Sequence, residues 1–295
     1  MTVFITGIDG FTGKHLEIFL RNLGYAVYGS VQDKSKNPNH LQCDIRNRDD
    51  VKRVITKVKP DYLFHLAAIS FVGESDKSMM YSVNVLGTQN ILEGCLEVST
   101  LKKIVIASSA TVYGNQGSSV LDESMCPKPV EHYGISKLAM ECMARTYFDR
   151  LNILIVRPFN YTGVGHSNNF VIPKIVTHFR EKKEGIELGN LDVSREFNDV
   201  RVVVEWYEKL MRCSAKSDVV NVCTGSGVKL LTVIELLEEL SEYSIDIQVN
   251  PMFMRKNEIP VLTGSAMKLG SFIELDNKYT IRDTLQWMYS SAAKE

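Results

Sequence analysis

The sequence predicts an α/β protein built on a doubly wound parallel sheet, with a smaller α/β lobe toward the C-terminal end. Short runs of β-branched and aromatic residues alternate with longer segments of helical periodicity, which is the pattern of βαβ units. A glycine-rich turn follows the first of these runs. The 295 residues are also enough for one large domain and a smaller second lobe.

The first half of the chain follows this alternation closely. Strands are predicted where apolar, β-branched runs are bounded by polar or turn-forming residues, at 3–6, 26–31, 40–43, 62–66, 103–107 and 152–156. Helices are predicted where apolar residues recur every three or four positions, at 11–23, 51–58, 78–96 and 131–150. Six strands interspersed with four helices predict a parallel sheet covered on both faces.

The order loosens after Arg157, where Arg157-Pro-Phe-Asn and Thr162-Gly-Val-Gly form turns. Pro173 opens an apolar helical stretch, and further helices are predicted at 199–211, 231–240 and 279–289, with a strand at 219–222. We therefore expect one domain over residues 1–160, onto which 199–223 pack back. The second lobe is expected to consist of 161–198 and 224–295.

Composition excludes several classes of protein. Hydrophobic residues make up 44% and charged residues 23%, as in ordinary globular proteins. The formal net charge of -1 provides no general attraction for nucleic acid or for a membrane surface. The six cysteines are scattered, without a CxxC pair, and the sequence shows neither a signal peptide nor a membrane-length apolar run. We expect free thiols, no metal site and a cytoplasmic location.

The glycine turn predicts a phosphate site. Gly7, Gly10 and Gly13 lie between the first strand and the first helix, in a GxxGxxG spacing. Glycine lets the backbone approach a pyrophosphate, and a helix N-terminus offers unpaired N–H groups to the phosphates. The alternative is a tight turn that binds nothing.

A second motif predicts proton transfer at a carbonyl. Tyr133 and Lys137 lie four residues apart on a predicted helix, so an ammonium would stabilise the phenolate and lower the tyrosine pKa below about 10. Ser109 follows the predicted strand 103–107 and can hydrogen-bond the same carbonyl oxygen.

Together these motifs resemble the extended short-chain dehydrogenase/reductase family. The glycine turn, His65-Leu-Ala-Ala68, the serine-rich turn before Tyr113-Gly114 and the YxxxK pair occur in the order found there. The resemblance implies a Rossmann-type domain over 1–160 that binds NAD(P), and catalysis by Ser109, Tyr133 and Lys137. For His65 and Tyr113 a structural role in the core is the favoured interpretation.

The resemblance also implies which residues contact the cofactor. They are Gly7, Asp9, Gly10, Phe11, Thr12, Gly13, Gln32, Lys34, Asp44, Ile45, Leu66, Ala67, Ala68, Asn84, Ala107, Ser108, Tyr133, Lys137, Pro158 and Asn160. Gln32 stands where relatives that use NADPH place an arginine, and Lys34 and Lys36 offer charge to a 2′-phosphate. NADPH is therefore favoured over NADH, with Asp33 as the counter-argument.

The second half resembles family members that act on GDP-linked 6-deoxyhexoses, above all the GDP-6-deoxy-4-keto-mannose reductases. The similar segments are Gly189-Asn190, 195–200, 221–225 and 255–260. The implied substrate contacts are Ser109, Asn160, Phe170, Val171, Gly189, Asn190, Arg195, Arg255 and Glu258. Arg195 and Arg255 would hold the diphosphate and Glu258 the ribose of the nucleoside, whereas a solvated ion pair is the alternative for Arg255 and Glu258.

The implied reaction is NAD(P)H-dependent reduction of the C4 ketone of a GDP-4-keto-6-deoxyhexose. Dehydratases of the family place acid and base groups after the active-site serine, but this chain has Ala110 and Thr111 there. The alternatives are a 4-epimerase with tightly bound NAD and a non-catalytic dinucleotide-sensing regulator. A heptose substrate, a CDP or dTDP sugar, and either C4 configuration of the product stay open. By resemblance we expect a homodimer that pairs through the helices predicted at 78–96 and 131–150.

Overall fold

The structure is a computed structural model that describes residues 1–70, 75–117, 120–254 and 259–291. Its strands are β1 (Thr2–Thr6), β2 (Ala26–Val31), β3 (His40–Gln42), β4 (Tyr62–His65), β5 (Lys103–Ala107), β6 (Ile153–Pro158), β7 (Tyr161–Thr162), β8 (Gly185–Leu188), β9 (Ser194–Arg195), β10 (Asn198–Asp199), β11 (Asp218–Val222), β12 (Val228–Lys229), β13 (Asp246–Val249) and β14 (Val261–Leu262). Its helices are α1 (Phe11–Asn22), α2 (Arg48–Val58), α3 (Lys77–Tyr81), α4 (Thr88–Cys95), α5 (His132–Arg145), α6 (Val171–Arg180), α7 (Val200–Arg212), α8 (Leu230–Ser241), α9 (Met267–Phe272) and α10 (Ile281–Ser290).

The large sheet confirms the predicted fold class. Its seven strands are all parallel and run in the order β3-β2-β1-β4-β5-β6-β11. Helices α1 and α7 pack on one face, and α2, α4 and α5 on the other. The strand order reverses between β1 and β4, so a crevice opens at the carboxyl ends of these strands, where ligands bind in doubly wound proteins.

Three predicted helix boundaries are wrong. Helix α2 begins at Arg48 rather than at residue 51, because the Asn47 side chain accepts hydrogen bonds from two backbone N–H groups of the first turn. The helix predicted over 131–150 ends at Arg145, and residues 146–150 form turns. The long helix predicted over 78–96 is divided into α3, a π-helical turn and α4.

The π-helical turn, Ser82–Gly87, carries Asn84 inward. The Asn84 amide is buried, accepts a hydrogen bond from the N–H of Ile69, and donates to the Ile69 carbonyl and to the Ser136 hydroxyl. The extra residue of a π-turn re-aims a side chain, which apolar periodicity alone does not reveal. Asn84 thereby joins the loop after β4 to helix α5.

The smaller lobe contains short strands that the sequence did not predict. They form the pairs β10-β7 and β13-β8 and the three-stranded sheet β12-β9-β14. Helices α6, α8 and α10 surround a separate apolar cluster with Ile186 and Leu188 of β8. Strand β11 belongs to the large sheet, and α7 packs against α1. Within the described part of the chain, no helix is both long and apolar enough to cross a membrane.

Candidate active site at the carboxyl edge of the large sheet

The glycine turn is shaped for close packing of backbone. Gly7 has a φ of +67°, and a Cβ there would lie 3.0 Å from Ala67 Cα. A Cβ on Gly13 would lie 2.3 Å from the Gly7 carbonyl oxygen, well inside van der Waals contact. The strand and the helix can approach this closely only because these side chains are absent.

The amino end of α1 is open to a ligand. Gly10 is exposed and occupies the N-cap position, without a side chain that could bond the first N–H groups. No acidic residue occupies the first turn of α1, and Asp9 in the preceding turn is exposed. An uncapped helix N-terminus beside a glycine turn fits a pyrophosphate, so these residues fit the dinucleotide that the sequence implies.

The ends of β2 and β3 bring the predicted cofactor-selecting residues to the surface. Gln32 and Lys34 are exposed, and Lys34 lines a cavity of about 430 Å³ together with Ser35, His40, Leu41, Gln42 and Arg53. The Asp44 carboxylate is held by Arg46 at 2.6 Å, and this hydrogen-bonded arginine lowers the pKa of Asp44. Ile45, the next predicted contact, is buried.

The loop after β4 is held by a chain of hydroxyl and imidazole groups. The Thr6 hydroxyl accepts hydrogen bonds from the N–H groups of Leu66 and Ala67 and lies 2.7 Å from His65 Nδ1. The Thr88 hydroxyl donates to the Asn84 carbonyl and lies 2.8 Å from His65 Nε2. The Thr88 hydroxyl donates its only proton to Asn84, so it can only accept from His65. His65 must therefore donate from Nε2 to Thr88 and accept at Nδ1 from Thr6.

His65 is therefore a neutral structural residue, as favoured from the sequence. Burial lowers its pKa to about 3, with the charge of Lys137 as a second cause. Leu66, Ala67 and Ala68 follow it as a half-buried loop beside Gly7. The position of this loop thus depends on side chains behind it.

Ser109, Tyr133 and Lys137 come together where β5 ends and α5 begins. The Ser109 hydroxyl lies close enough to the Tyr133 phenol to lower its pKa, and it accepts hydrogen bonds from the N–H and hydroxyl of Thr111. Lys137 is buried, donates from Nζ to the Ala107 carbonyl at 2.8 Å, and lies 6.0 Å from the centre of the Tyr133 ring. The three predicted catalytic residues therefore share one site.

The pKa of Tyr133 differs from the sequence prediction. Burial raises it above its ordinary value of 10, while the nearby Ser109 hydroxyl opposes the rise. Burial also lowers the pKa of Lys137 to about 8. The lysine was expected to lower the tyrosine pKa, but in this structure loss of hydration is the larger effect. At neutral pH the phenol keeps its proton, which is the form required to donate it.

Other predicted cofactor contacts lie at the carboxyl ends of β5 and β6, and they range from buried to exposed. Ala107 binds Lys137 through its carbonyl, whereas the Ser108 side chain is buried and donates to Glu141 Oε1 at 2.5 Å. Pro158 ends β6 and is half-buried, and Asn160 is exposed just beyond it.

A buried ion pair behind the site escaped the sequence analysis. Arg157 donates from Nε and Nη2 to the two oxygens of Glu141, at 2.9 and 2.7 Å, and both side chains are buried. The available sequence signals were an acidic residue four positions after Lys137 and an arginine inside an apolar strand.

The predicted substrate residues are spread over the smaller lobe. Phe170 is the N-cap of α6, and Val171 is exposed beside it. Gly189 follows β8, and a Cβ there would lie 2.7 Å from the Phe253 carbonyl oxygen. The Asn190 side chain accepts from the N–H of Asp192.

Of the three predicted charged contacts, only Arg195 lies among the described residues. It belongs to β9 and donates from Nη1 to the carbonyls of Ser194 and Pro260, at 2.9 and 3.1 Å. Arg255 and Glu258 fall outside the described residues.

An aromatic stack connects the two groups of predicted contacts, and the sequence analysis missed it. His166 stacks on Phe11 and on Phe170, with ring centres 4.3 Å apart in each pair. Burial and the neighbouring His15 lower the pKa of His166 to about 4, so its ring is uncharged at neutral pH. Phe11 is the first residue of α1 and Phe170 precedes α6, so one imidazole joins the glycine turn to the smaller lobe.

Comparison with known proteins identifies the family. The family model described as GDP-mannose 4,6 dehydratase matches residues 4–288. GDP-6-deoxy-D-talose 4-dehydrogenase of Aggregatibacter actinomycetemcomitans is 35% identical over 298 residues, covering 100% of this chain and 99% of that protein. GDP-6-deoxy-D-mannose reductase of Pseudomonas aeruginosa is 30% identical over 299 residues, covering 98% of this chain and 96% of that protein.

The solved structures agree with this result. The NADPH complex of RMD from Pseudomonas aeruginosa superposes with a TM-score of 0.86 at 28% identity, covering 98% of this chain and 96% of that one. The matches extend over the large sheet and the smaller lobe alike, and over the segments that carry Ser109, Tyr133 and Lys137. The chain therefore belongs to the GDP-mannose 4,6-dehydratase-like family of short-chain dehydrogenases/reductases.

Proposed function

We propose that this protein is an NAD(P)H-dependent reductase of the C4 ketone of a GDP-4-keto-6-deoxyhexose. The observation that carries the proposal is the meeting of Ser109, Tyr133 and Lys137 at the same carboxyl edge of the parallel sheet as the open amino end of α1. The names of the two relatives support a GDP-linked 6-deoxyhexose as the substrate. One is named a 4-dehydrogenase and the other a reductase, each of a GDP-6-deoxyhexose.

The proposed mechanism assigns one step to each of the three side chains. Tyr133 donates its phenolic proton to the C4 oxygen as that oxygen gains charge. Ser109, which lies close enough to the phenol to lower its pKa, orients and polarises the same carbonyl oxygen. Lys137 places a positive charge behind the phenol and stabilises the phenolate that remains. The bound nicotinamide dinucleotide would supply the hydride.

The residues after Ser109 support reduction over dehydration. Elimination of water across C5 and C6 requires a general acid and a general base beside the sugar. Ala110 is buried and has no polar group, and the Thr111 hydroxyl is committed to Ser109. Neither position offers a carboxylate, although the family model bears the dehydratase name.

NADPH is the proposed cofactor, with NADH as the alternative. Lys34 and Arg53 line the cavity at the ends of β2 and β3 and could attract a 2′-phosphate, and Lys36 is exposed nearby in sequence. The NADPH bound to the related RMD supports this choice. A ratio of kcat/KM for NADPH to that for NADH near one would contradict it.

A division of labour between lobes also belongs to the proposal. Residues 1–160 with 199–223 would bind the cofactor, and 161–198 with 224–295 would bind the nucleotide sugar. The joining of β11 to the large sheet and the packing of α7 on α1 support this division.

A homodimer is proposed through α3, α4 and α5. Leu86 on the π-helical turn and Ile135 on α5 are 55% and 40% exposed, and they leave apolar surface on this side of the molecule. We also propose a cytoplasmic location, because all six cysteines are unpaired and three are buried. Light scattering of the wild type and of Leu86→Glu tests the dimer, since a charge at its centre should give monomers.

The decisive experiment is turnover of GDP-4-keto-6-deoxymannose with NADPH or NADH. Stoichiometric loss of the reduced-nicotinamide absorbance would support the ketoreductase. NMR couplings of the product then distinguish the axial C4 hydroxyl of a talose-type sugar from the equatorial one of a rhamnose-type sugar. Parallel assays with the CDP and dTDP sugars and with a GDP-4-keto-heptose define the substrate.

The second candidate is a nucleotide-sugar 4-epimerase, because the serine-rich turn before Tyr113 also resembles such enzymes. Copurification of NAD and exchange of C4 configuration without net cofactor oxidation would favour it. A dinucleotide-sensing regulator would bind cofactor but turn over none of these sugars. Loss of cofactor absorbance excludes both alternatives.

A further inference from the structure

Helix α5 carries a third ionisable group in register with the proposed catalytic pair. Tyr133, Lys137 and Glu141 follow one another at intervals of four residues, so their side chains share one face of the helix. Glu141 has no exposed surface, and its charge acts on Lys137. A wholly buried carboxylate requires compensating partners.

Three groups provide this compensation. Arg157 of β6 donates to both carboxylate oxygens, and Ser108 donates to Oε1 at 2.5 Å. Arg145, one turn farther along α5, approaches Oε2 to 3.9 Å. The carboxylate is thus fixed by β5, β6 and its own helix.

Arg157 is itself held from behind. Its guanidinium lies 4.8 Å from the centre of the Tyr113 ring, and the Tyr113 hydroxyl donates to the Asn221 side chain at 2.7 Å. Arg157 Nη1 is buried and has no hydrogen-bond partner among the described residues. Arg157 therefore leaves Nη1 without a hydrogen bond within the described part of the chain, while Nε and Nη2 both bond Glu141. The bidentate pair with Glu141 is thus its dominant interaction.

We propose that Glu141 is a positioning residue for the reduction, and that it acts through Lys137. Arg157 and Ser108 hold the carboxylate in place, and its negative charge keeps the neighbouring ammonium protonated and directed at the Ala107 carbonyl. This inference rests on the proposed function, because it assigns Glu141 a role only if Lys137 serves Tyr133.

The charges around Lys137 fit this role. Burial lowers the pKa of Lys137 to about 8, and Glu141 opposes the decrease. Tyr133 on the same helix face is uncharged because its pKa is raised, and His65 on β4 is uncharged because its pKa is lowered. Arg157 is positive and neutralised by Glu141. Removal of the Glu141 charge should therefore lower the pKa of Lys137 further, into the neutral range.

The first test measures the pKa of Lys137 directly in the ligand-free protein. The NMR signal of isotope-labelled lysine Cε is followed against pH and assigned by its loss in Lys137→Arg. We expect Glu141→Gln to titrate about one pH unit lower than the wild type. Because Glu141→Gln leaves Arg157 buried without its carboxylate and is therefore destabilising, the double variant Glu141→Gln/Arg157→Met is measured in parallel.

The matched control is Glu208→Gln on α7. Glu208 is also buried and paired with an arginine, Arg212, but it lies on the opposite face of the sheet. It should reproduce the loss of a buried charge and leave the titration of Lys137 unchanged. A folded Glu141→Gln variant whose Lys137 titrates like the wild type would overturn the inference. The double variant also loses the positive Arg157, so its Lys137 titration is compared with that of Arg157→Met, and equal values would overturn the inference as well.

The second test is the pH profile of kcat/KM with saturating NADPH. Activity that needs the Lys137 ammonium is lost as the pH rises through its pKa, so the alkaline limb should move down by the same amount as the NMR titration. Glu141→Asp, which restores the charge, should move the limb back toward the wild type. A uniform loss at every pH in Glu141→Gln would show a merely structural role.

The two proposals fail in different ways. If Tyr133→Phe and Lys137→Met keep the wild-type turnover, the proposed function is wrong, whatever the pKa of Lys137 in the Glu141 variants. If those variants are inactive and the Glu141 variants leave the Lys137 titration in place, the proposed function stands and the role of Glu141 is wrong.

Discussion

The two lobes hold their polar groups by different means. In the large lobe, buried side chains bond to one another within the layers of sheet and helix, as in the Ser108–Glu141–Arg157 network. In the smaller lobe, the buried Glu196 carboxylate accepts from the side chains of Asn198 and Thr224 and also from the backbone N–H groups of Thr224 and Gly264, and so fastens loops together. The Ser108–Glu141–Arg157 network thus joins the large sheet to α5, whereas Glu196 joins loops that connect short strands.

Replacement of Tyr133 by phenylalanine is expected to have the largest effect, and it tests the proposed chemistry of the large lobe. Loss of the transferable proton should lower kcat by about 10²–10⁴-fold. The Kd for NADPH should stay near the wild-type value, because the ring and Lys137 remain. Stopped-flow cofactor oxidation and fluorescence titration measure the two quantities. Tyr28→Phe on β2 is the control, and near-normal turnover in Tyr133→Phe would reject the assignment.

Gly13→Ala tests whether the glycine turn is as closely packed as its geometry indicates. The added methyl would lie 2.3 Å from the Gly7 carbonyl oxygen, so backbone must move. We expect the free energy of unfolding to fall by about 3 kcal/mol and NADPH binding to weaken. In Gly270→Ala on α9 the methyl meets its nearest neighbour at 3.5 Å, so stability should hold or rise by up to about 1 kcal/mol. Equal losses in the two variants would contradict the packing argument.

Arg195→Ala tests the proposed binding of the nucleotide sugar by the smaller lobe. If the guanidinium holds the sugar-nucleotide diphosphate, KM for the nucleotide sugar should rise by about 10–100-fold while kcat changes little. Unfolding should change little, because Arg195 is half-buried on a two-residue strand and its described hydrogen bonds are to the carbonyls of Ser194 and Pro260. Arg282→Ala, which removes an exposed ion pair with Glu239 in the same lobe, is the control. An unchanged KM in Arg195→Ala would remove this residue from the site.

The smallest expected effect comes from His166, which connects the two sides. His166→Ala removes both stacking contacts, and each contact of this kind contributes about 0.5–1.5 kcal/mol. In His166→Ala the Kd for GDP should rise several-fold in the presence of NADPH and less in its absence. Calorimetry with and without NADPH measures this difference, with His178→Ala on α6 as the control. Equal GDP affinities in both conditions for wild type would show that the stack does not couple the ligands.

The same residue predicts a pH dependence of stability. The pKa of His166 is lowered to about 4 from its ordinary 6.5, so the unfolded chain binds the proton more readily. Its contribution to stability is complete above about pH 6.5 and is lost as the pH falls toward 4. Chemical denaturation across this window should show a shallower loss in His166→Ala than in the wild type.

Prediction from sequence succeeded where a local pattern and a chemical requirement coincide. The strands of the large sheet are continuous apolar runs, and the glycines of the turn admit few other residues. It failed for the two-residue strands β9 and β12, which carry no periodicity and exist because β9 pairs with both β12 and β14. It failed also for the π-helical turn, because Asn84 is drawn inward by partners on a distant loop and helix.

The sequence by itself determined the doubly wound sheet, the open amino end of α1 and the presence of serine, tyrosine and lysine at positions that meet. These depend on periodicity and on short spacings along one chain segment. The tertiary structure alone decided the pairing of Glu141 with Arg157, the stack of His166 between Phe11 and Phe170, and the raised pKa of Tyr133. Each of these depends on burial and on partners far away in sequence, and the loss of hydration that shifts a pKa exists only once the layers have packed.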